Sequence, residues 1–176
     1  FRYPMLQTGP TPEIKARVAT FLTEHGYTNA PATFINADWM FASVYSNAMA
    51  KGQMDTVARV KSDYVPYMES VVEFYEQRAQ EVVGRDIPQI LLIHANRLNA
   101  DFAGDLLSML KRRGYKFISL AQALKDPAYQ LKDDYVGPDG PSWLQRWAIA
   151  KGVAEKEAPQ EPKWLQGEYK VLERQR

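Results

Sequence analysis

Residues 89–96 read QILLIHAN: four consecutive aliphatic residues, at 90–93, run into His94, one of two histidines in the chain. A short apolar run bounded by Pro88 and by the polar turn after His94 is the pattern of a strand buried on both faces, as in parallel sheets. Functional groups of parallel α/β folds sit where strands end. His94 is therefore either a packed residue at a strand end or an imidazole aimed into a site.

The neighbouring segments decide which architecture that strand belongs to. Thr11-Pro12-Glu13 is a helix start, with a capping hydroxyl, proline at the first helical position and an acid in the first turn. Ile14, Val18, Phe21 and Leu22 share one face, Gly26 can end the helix, and Tyr27 leads to a strand candidate at residues 32–35. The unit recurs: Asn99-Ala100-Asp101 opens a helix carrying Phe102, Leu106, Leu107 and Leu110, which ends at Gly114-Tyr115 before a strand candidate at 116–118. Helices alternating with short strands predict an α/β fold with parallel strands.

Residues 40–85 read as two helices, the second long and bent at Pro66, with Val57, Val60, Tyr64, Tyr67, Val71, Val72 and Tyr75 near helical spacing. Ser142-Trp143-Leu144-Gln145-Arg146-Trp147 follows a Gly/Pro loop and predicts a short helix whose tryptophans pack on the outside of a barrel. Residues 1–152 form the domain. Residues 153–176 are polar, contain Pro159 and Pro162, and read as a tail anchored by Trp164, Leu165, Val171 and Leu172. Three or four strands cannot close a barrel, so the chain reads as part of a fold.

Composition removes several classes. At 176 residues, 45% hydrophobic and 24% charged, the chain suits one globular domain. A net charge of +1 with its basic residues dispersed gives no nucleic-acid face. No run approaches the roughly 18 apolar residues of a membrane span. The absence of cysteine excludes disulfides, thiolate zinc sites and thiol nucleophiles while leaving the compartment open. Phe1 in place of methionine points to a processed or truncated product.

Three polar groups occupy candidate strand ends: Arg2 in Phe1-Arg2-Tyr3-Pro4, Asp38-Trp39 in Asn36-Ala37-Asp38-Trp39, and His94. An imidazole with a carboxylate partner is a candidate general acid, and Asp38 is the best candidate partner. Each has a plainer reading: His94 as a strand-edge residue satisfied by backbone, Asp38 as a helix cap, Arg2 as a solvated terminal cation. His25, beside Gly26, is a helix-end residue without a functional role. No HxxxH or HExxH pair supplies a metal site, and no GxSxG turn, phosphate-cradling glycine loop or dinucleotide fingerprint is present.

Together, FRYP at 1–4, NADW at 36–39 and LLIH at 91–94 resemble, in order and spacing, the later half of the polysaccharide deacetylase family. RRGYKFISLAQALKDPAY and SWLQRW match its texture, so the resemblance spans about residues 1–150. It implies a partial distorted (β/α) barrel of the NodB type, lacking its N-terminal strands. The family's reaction is zinc-assisted hydrolysis of N-acetyl or O-acetyl groups on a polysaccharide. By resemblance, Arg2 orients the aspartate that acts as base, the backbone at Met5 helps hold the oxyanion, Asp38 tunes His94, and His94 is the general acid. Trp39 walls the groove and Leu91 lines the acetyl pocket.

The family's Thr-Phe-Asp-Asp segment and His-x-x-x-His pair have no counterpart in this sequence. Zinc is thus expected for the full-length protein, with its ligands and the base outside this chain, in a missing N-terminal segment of the same barrel. Ile35 replaces a frequent second acid, and Met5 a common aromatic. The expected function is the C-terminal half of an acetylated-polysaccharide deacetylase, inactive alone, and an extracytoplasmic setting is implied by the resemblance only. Two rivals stand beside it: a noncatalytic carbohydrate-binding domain, and a scaffold in which Asp38 and His94 are structural.

Overall fold

The Thr11 hydroxyl accepts the Ile14 amide at 3.3 Å and Pro12 opens the first helix, α1 (Pro12–Glu24), as its sequence predicts. Gly26 then takes φ +74°, and the Tyr27 amide donates to the Leu22 carbonyl at 2.8 Å. The computed structural model describes residues 1–175, and further helices follow: α2 (Asp38–Lys51), α3 (Met54–Val83), α4 (Arg97–Arg112), α5 (Leu120–Ala123), α6 (Trp143–Ala150) and α7 (Lys163–Glu173). Short 3-10 turns occupy Pro4–Leu6 and Pro127–Gln130. α3 runs for 30 residues with Pro66 inside it. α4 closes on Gly114 at φ +89° with the Tyr115 amide on the Leu110 carbonyl at 3.0 Å, repeating the ending of α1.

The (β/α) barrel expectation is overturned, because the structure is 59% helix and 1% strand, with no sheet among the described residues. Residues 32–35 and 89–93 do run side by side and parallel, but they form one isolated bridge, Phe34 with Leu91. A parallel ladder needs its amides and carbonyls free for a neighbouring strand. Here other groups take them. The Ile90 amide donates to Thr33 Oγ1 at 2.8 Å, and the Trp143 amide at the start of α6 donates to the Ala32 carbonyl at 2.9 Å. The amides of Thr33 and Phe34 do reach the neighbouring segment, but both bond the same Ile90 carbonyl, at 3.0 and 3.1 Å, which breaks the even spacing of a ladder. The third expected strand, 116–118, is unpaired, with Phe117 and Ile118 exposed.

The chain divides into two compact units. The first comprises Phe1–Phe34, Tyr75–Leu91 and Ile118–Glu157. Its core holds Phe34 against Tyr75 at 5.6 Å between ring centroids, and Trp147 against Tyr129 at 5.6 Å. Trp143 and Trp147 are therefore core residues, a correction to their expected place outside a barrel. Arg146, fully buried on α6, lies over the rings of Trp143 and Tyr135. Its guanidinium donates to the carbonyls of Leu6 (2.5 Å) and Pro141 (3.1 Å), to Thr8 Oγ1 (2.9 Å) and to Asp133 (3.2 Å). A buried guanidinium with all these partners is the condition under which such a charge is tolerated.

The second unit comprises Ile35–Phe74, Leu92–Phe117 and the residues from Ala158 on. Its helices α2 and α4 pack together through an aromatic cluster in which Tyr64 meets Phe41 at 5.2 Å and Phe102 at 5.9 Å. The segment expected as a tail contains α7, which packs on α2 and buries Leu165 completely; Arg176, the end of that expected tail, lies outside the described residues. Among the described residues no helix is long and apolar enough to cross a membrane.

Candidate functional site

Asp38 is the first residue of α2, and its side chain does not cap that helix. The turn before it is closed by Asn36, whose Oδ1 accepts the Asp38 amide at 2.9 Å while its Nδ2 donates to the Leu92 carbonyl at 2.7 Å. That arrangement relieves Asp38 of the capping role and leaves its carboxylate, wholly buried, to face residues 94–99.

Three donors converge on the carboxylate. The His94 backbone amide donates to Oδ2 at 2.8 Å, Asn99 Nδ2 donates to Oδ2 at 2.5 Å, and His94 Nδ1 lies 2.8 Å from Oδ1. A carboxylate oxygen accepts, so the network puts the ring proton on Nδ1 and leaves Nε2 as the atom that gives or takes a proton. The His94 side chain is 51% exposed and that of Asp38 1%. The pair thus combines a buried anchor with an imidazole open to solvent.

Asn99 spends its amide completely. Besides Asp38 it donates to the His94 carbonyl at 2.8 Å, and its Oδ1 accepts the Tyr64 hydroxyl. The Tyr64 phenol is pushed above its ordinary value, first by burial and then by the neighbouring Asp38 charge and Tyr67. Tyr67 fixes the chain just before the aspartate, its hydroxyl accepting the Ala37 amide at 3.1 Å. Asn36, Tyr64, Tyr67 and Asn99 were missed by sequence reasoning. The Asn96-x-x-Asn99 spacing held one signal: Asn96 is the cap, accepting the Asn99 amide at 2.8 Å, so Asn99 is free to point inward.

Of the other expected residues, Trp39 belongs to the same unit, partly exposed, its ring edge-on to Tyr169 of α7 at 5.1 Å. Arg2, Met5 and Leu91 belong to the first unit. Arg2 Nε donates to the Ala30 carbonyl at 3.2 Å, and burial lowers its pKa. Met5 sits at φ +51° in the turn Pro4–Leu6 and is 81% exposed, while Leu91 is half-buried in the bridge to Phe34. His25 Nδ1 lies 2.7 Å from the Phe21 carbonyl at the end of α1.

An open cavity of about 740 Å³ adjoins the imidazole, lined by Ile93, His94, Asn96, Arg97, Asn99 and Ala100 among others. Among the described residues no three His, Cys, Asp or Glu side chains come together, so these residues do not by themselves fit a zinc ion. The chain matches no protein-family model, no curated protein and no solved structure.

Proposed function

We propose that His94 and Asp38 form the proton-donating half of a hydrolytic site that removes acetyl groups from a polysaccharide. The observation that carries the reading is the pairing itself: an exposed imidazole bonded through Nδ1 to a wholly buried carboxylate at 2.8 Å. In amide hydrolysis water adds to the acetyl carbon and the C–N bond breaks. The leaving nitrogen then needs a proton. In this reading His94, as the imidazolium, gives its Nε2 proton to that nitrogen, while Asp38 holds the ring and offsets its charge. The acetyl polysaccharide as substrate rests on the resemblance of FRYP, NADW and LLIH to the deacetylase family. The reading assigns this chain the acid alone; activation of water falls to groups outside the described site.

The test is acetate release from acetylated chitin-type oligomers, with zinc added, by this chain and by any longer translated product of its gene. A product that also supplies the water-activating groups is expected to release acetate, and His94→Ala and Asp38→Asn to lower the rate about 100-fold or more with the helical circular dichroism unchanged. This chain alone is expected to release none. Sugar binding without acetate release by any product of the gene would replace this reading with the carbohydrate-binding one, and an undiminished rate in His94→Ala would make the pair structural.

A further inference from the structure

The cavity beside His94 carries a second nitrogen donor group that the proton-donor reading does not use. Arg97, in the first turn of α4, lines it, with its side chain 59% exposed. Its one acidic neighbour among the described residues is Asp101, 3.6 Å from Nε and beyond hydrogen-bond reach. The facing Asp101 oxygen, Oδ2, is already the acceptor for the Tyr45 hydroxyl at 2.8 Å. The two terminal nitrogens of Arg97 therefore have no hydrogen-bond acceptor in the protein among the described residues. The cavity wall includes no acidic side chain. A planar guanidinium fork at the edge of an open cavity, with Asp101 beside it too far away for a hydrogen bond, matches the two oxygens of a carboxylate ligand.

We propose that Arg97 forms a carboxylate-binding subsite beside His94 that selects an acidic sugar unit in the polymer. The inference rests on the proposed carbohydrate substrate and names its chemical class. A carboxylate could reach the cavity from two sources, an acidic sugar or free acetate, and the guanidinium would pair with either; a sugar unit adds ring contacts that acetate lacks, which favours the polymer.

The test is binding to this chain, measured by isothermal titration and amide chemical-shift changes, with oligogalacturonate, a neutral chitin oligomer of the same length, and sodium acetate. Oligogalacturonate is expected to bind at least about 10-fold more tightly than the neutral oligomer and to weaken as salt rises. Arg97→Gln should abolish that preference, and Arg97→Lys should restore part of it. Because Arg97 is exposed, the melting temperatures of both variants should stay at that of the parent, which separates lost recognition from lost folding. Equal binding of both oligomers, an unchanged preference in Arg97→Gln, or acetate bound as tightly as oligogalacturonate would each overturn the proposal. The outcome is independent of acetate release, so failure of the subsite and failure of the proton-donor reading are distinguishable.

Discussion

Helices α1 and α4 carry the same local pattern, a capped start, an apolar face and a Gly-Tyr ending, yet they bury opposite amounts of it. On α4, Phe102, Leu106 and Leu110 are buried against the second unit's core. On α1 only Leu22 is buried, and Phe21 is 55% exposed. The segments that follow are inverted. Residues 32–34 after α1 are buried, whereas after α4 Phe117 is 54% exposed. A periodic apolar face thus states what a helix has available to bury; whether it is buried depends on what packs there, as α2 does on α4.

Truncation should expose this difference most strongly. Phe102→Ala and Phe34→Ala are each expected to destabilise by about 3–5 kcal/mol in urea unfolding. Their counterparts Phe21→Ala and Phe117→Ala should stay within about 0.5 kcal/mol. Comparable losses in all four would show that α1 and residues 116–118 are covered in solution.

The inward face of α4 differs from α1 in a second way, since Asn99 reaches a wholly buried carboxylate, whereas the polar contact of α1, Lys15 with Asp133 at 3.0 Å, is partly exposed. Asn99→Leu removes one of the three donors to Asp38 and leaves the Tyr64 hydroxyl and the His94 carbonyl without their Asn99 partner, and should cost about 2–4 kcal/mol. A neutral outcome in thermal unfolding would mean that water replaces the amide.

Alkali provides a smaller effect, in the first unit. The Tyr129 hydroxyl donates to the Pro88 carbonyl at 2.5 Å, and burial pushes the phenol up to about 12 from its ordinary 10.0. Between those values the unfolded chain loses the proton and the folded chain keeps it. Stability is therefore whole below pH 10 and declines as pH rises toward 12, by on the order of 2 kcal/mol. Tyr129→Phe should flatten that part of the decline in a pH series of unfolding curves; an unaltered slope would assign it to other phenols.

Helices α1, α4 and α6 were legible in the sequence because their signals are local: Thr11 with Pro12, Ser142 after a Gly/Pro loop, and Gly-Tyr at two endings; α7 was read as tail because its apolar residues are few and two prolines precede it. The sheet was misread because an apolar run such as 90–93 shows only that a segment is extended and buried. Its hydrogen-bond partners are nonlocal, and here a threonine hydroxyl and the start of α6 take groups a ladder would use. The pairing of Asp38 with His94 was anticipated as a candidate; its supports were not. Tyr64 read as one more apolar face residue, and Asn99 as a helix opener, since nothing in their spacing tells that they meet around a carboxylate.

The central claim is that Asp38 fixes the His94 ring with its proton on Nδ1 and Nε2 open for transfer. Nitrogen-15 NMR of the imidazoles in this chain, which has only two histidines, reads this directly. The account predicts that neutral His94 carries its proton on Nδ1, with Nε2 unprotonated. Neutral His94 found with its proton on Nε2, or as the mixture of tautomers of a free imidazole, would contradict it.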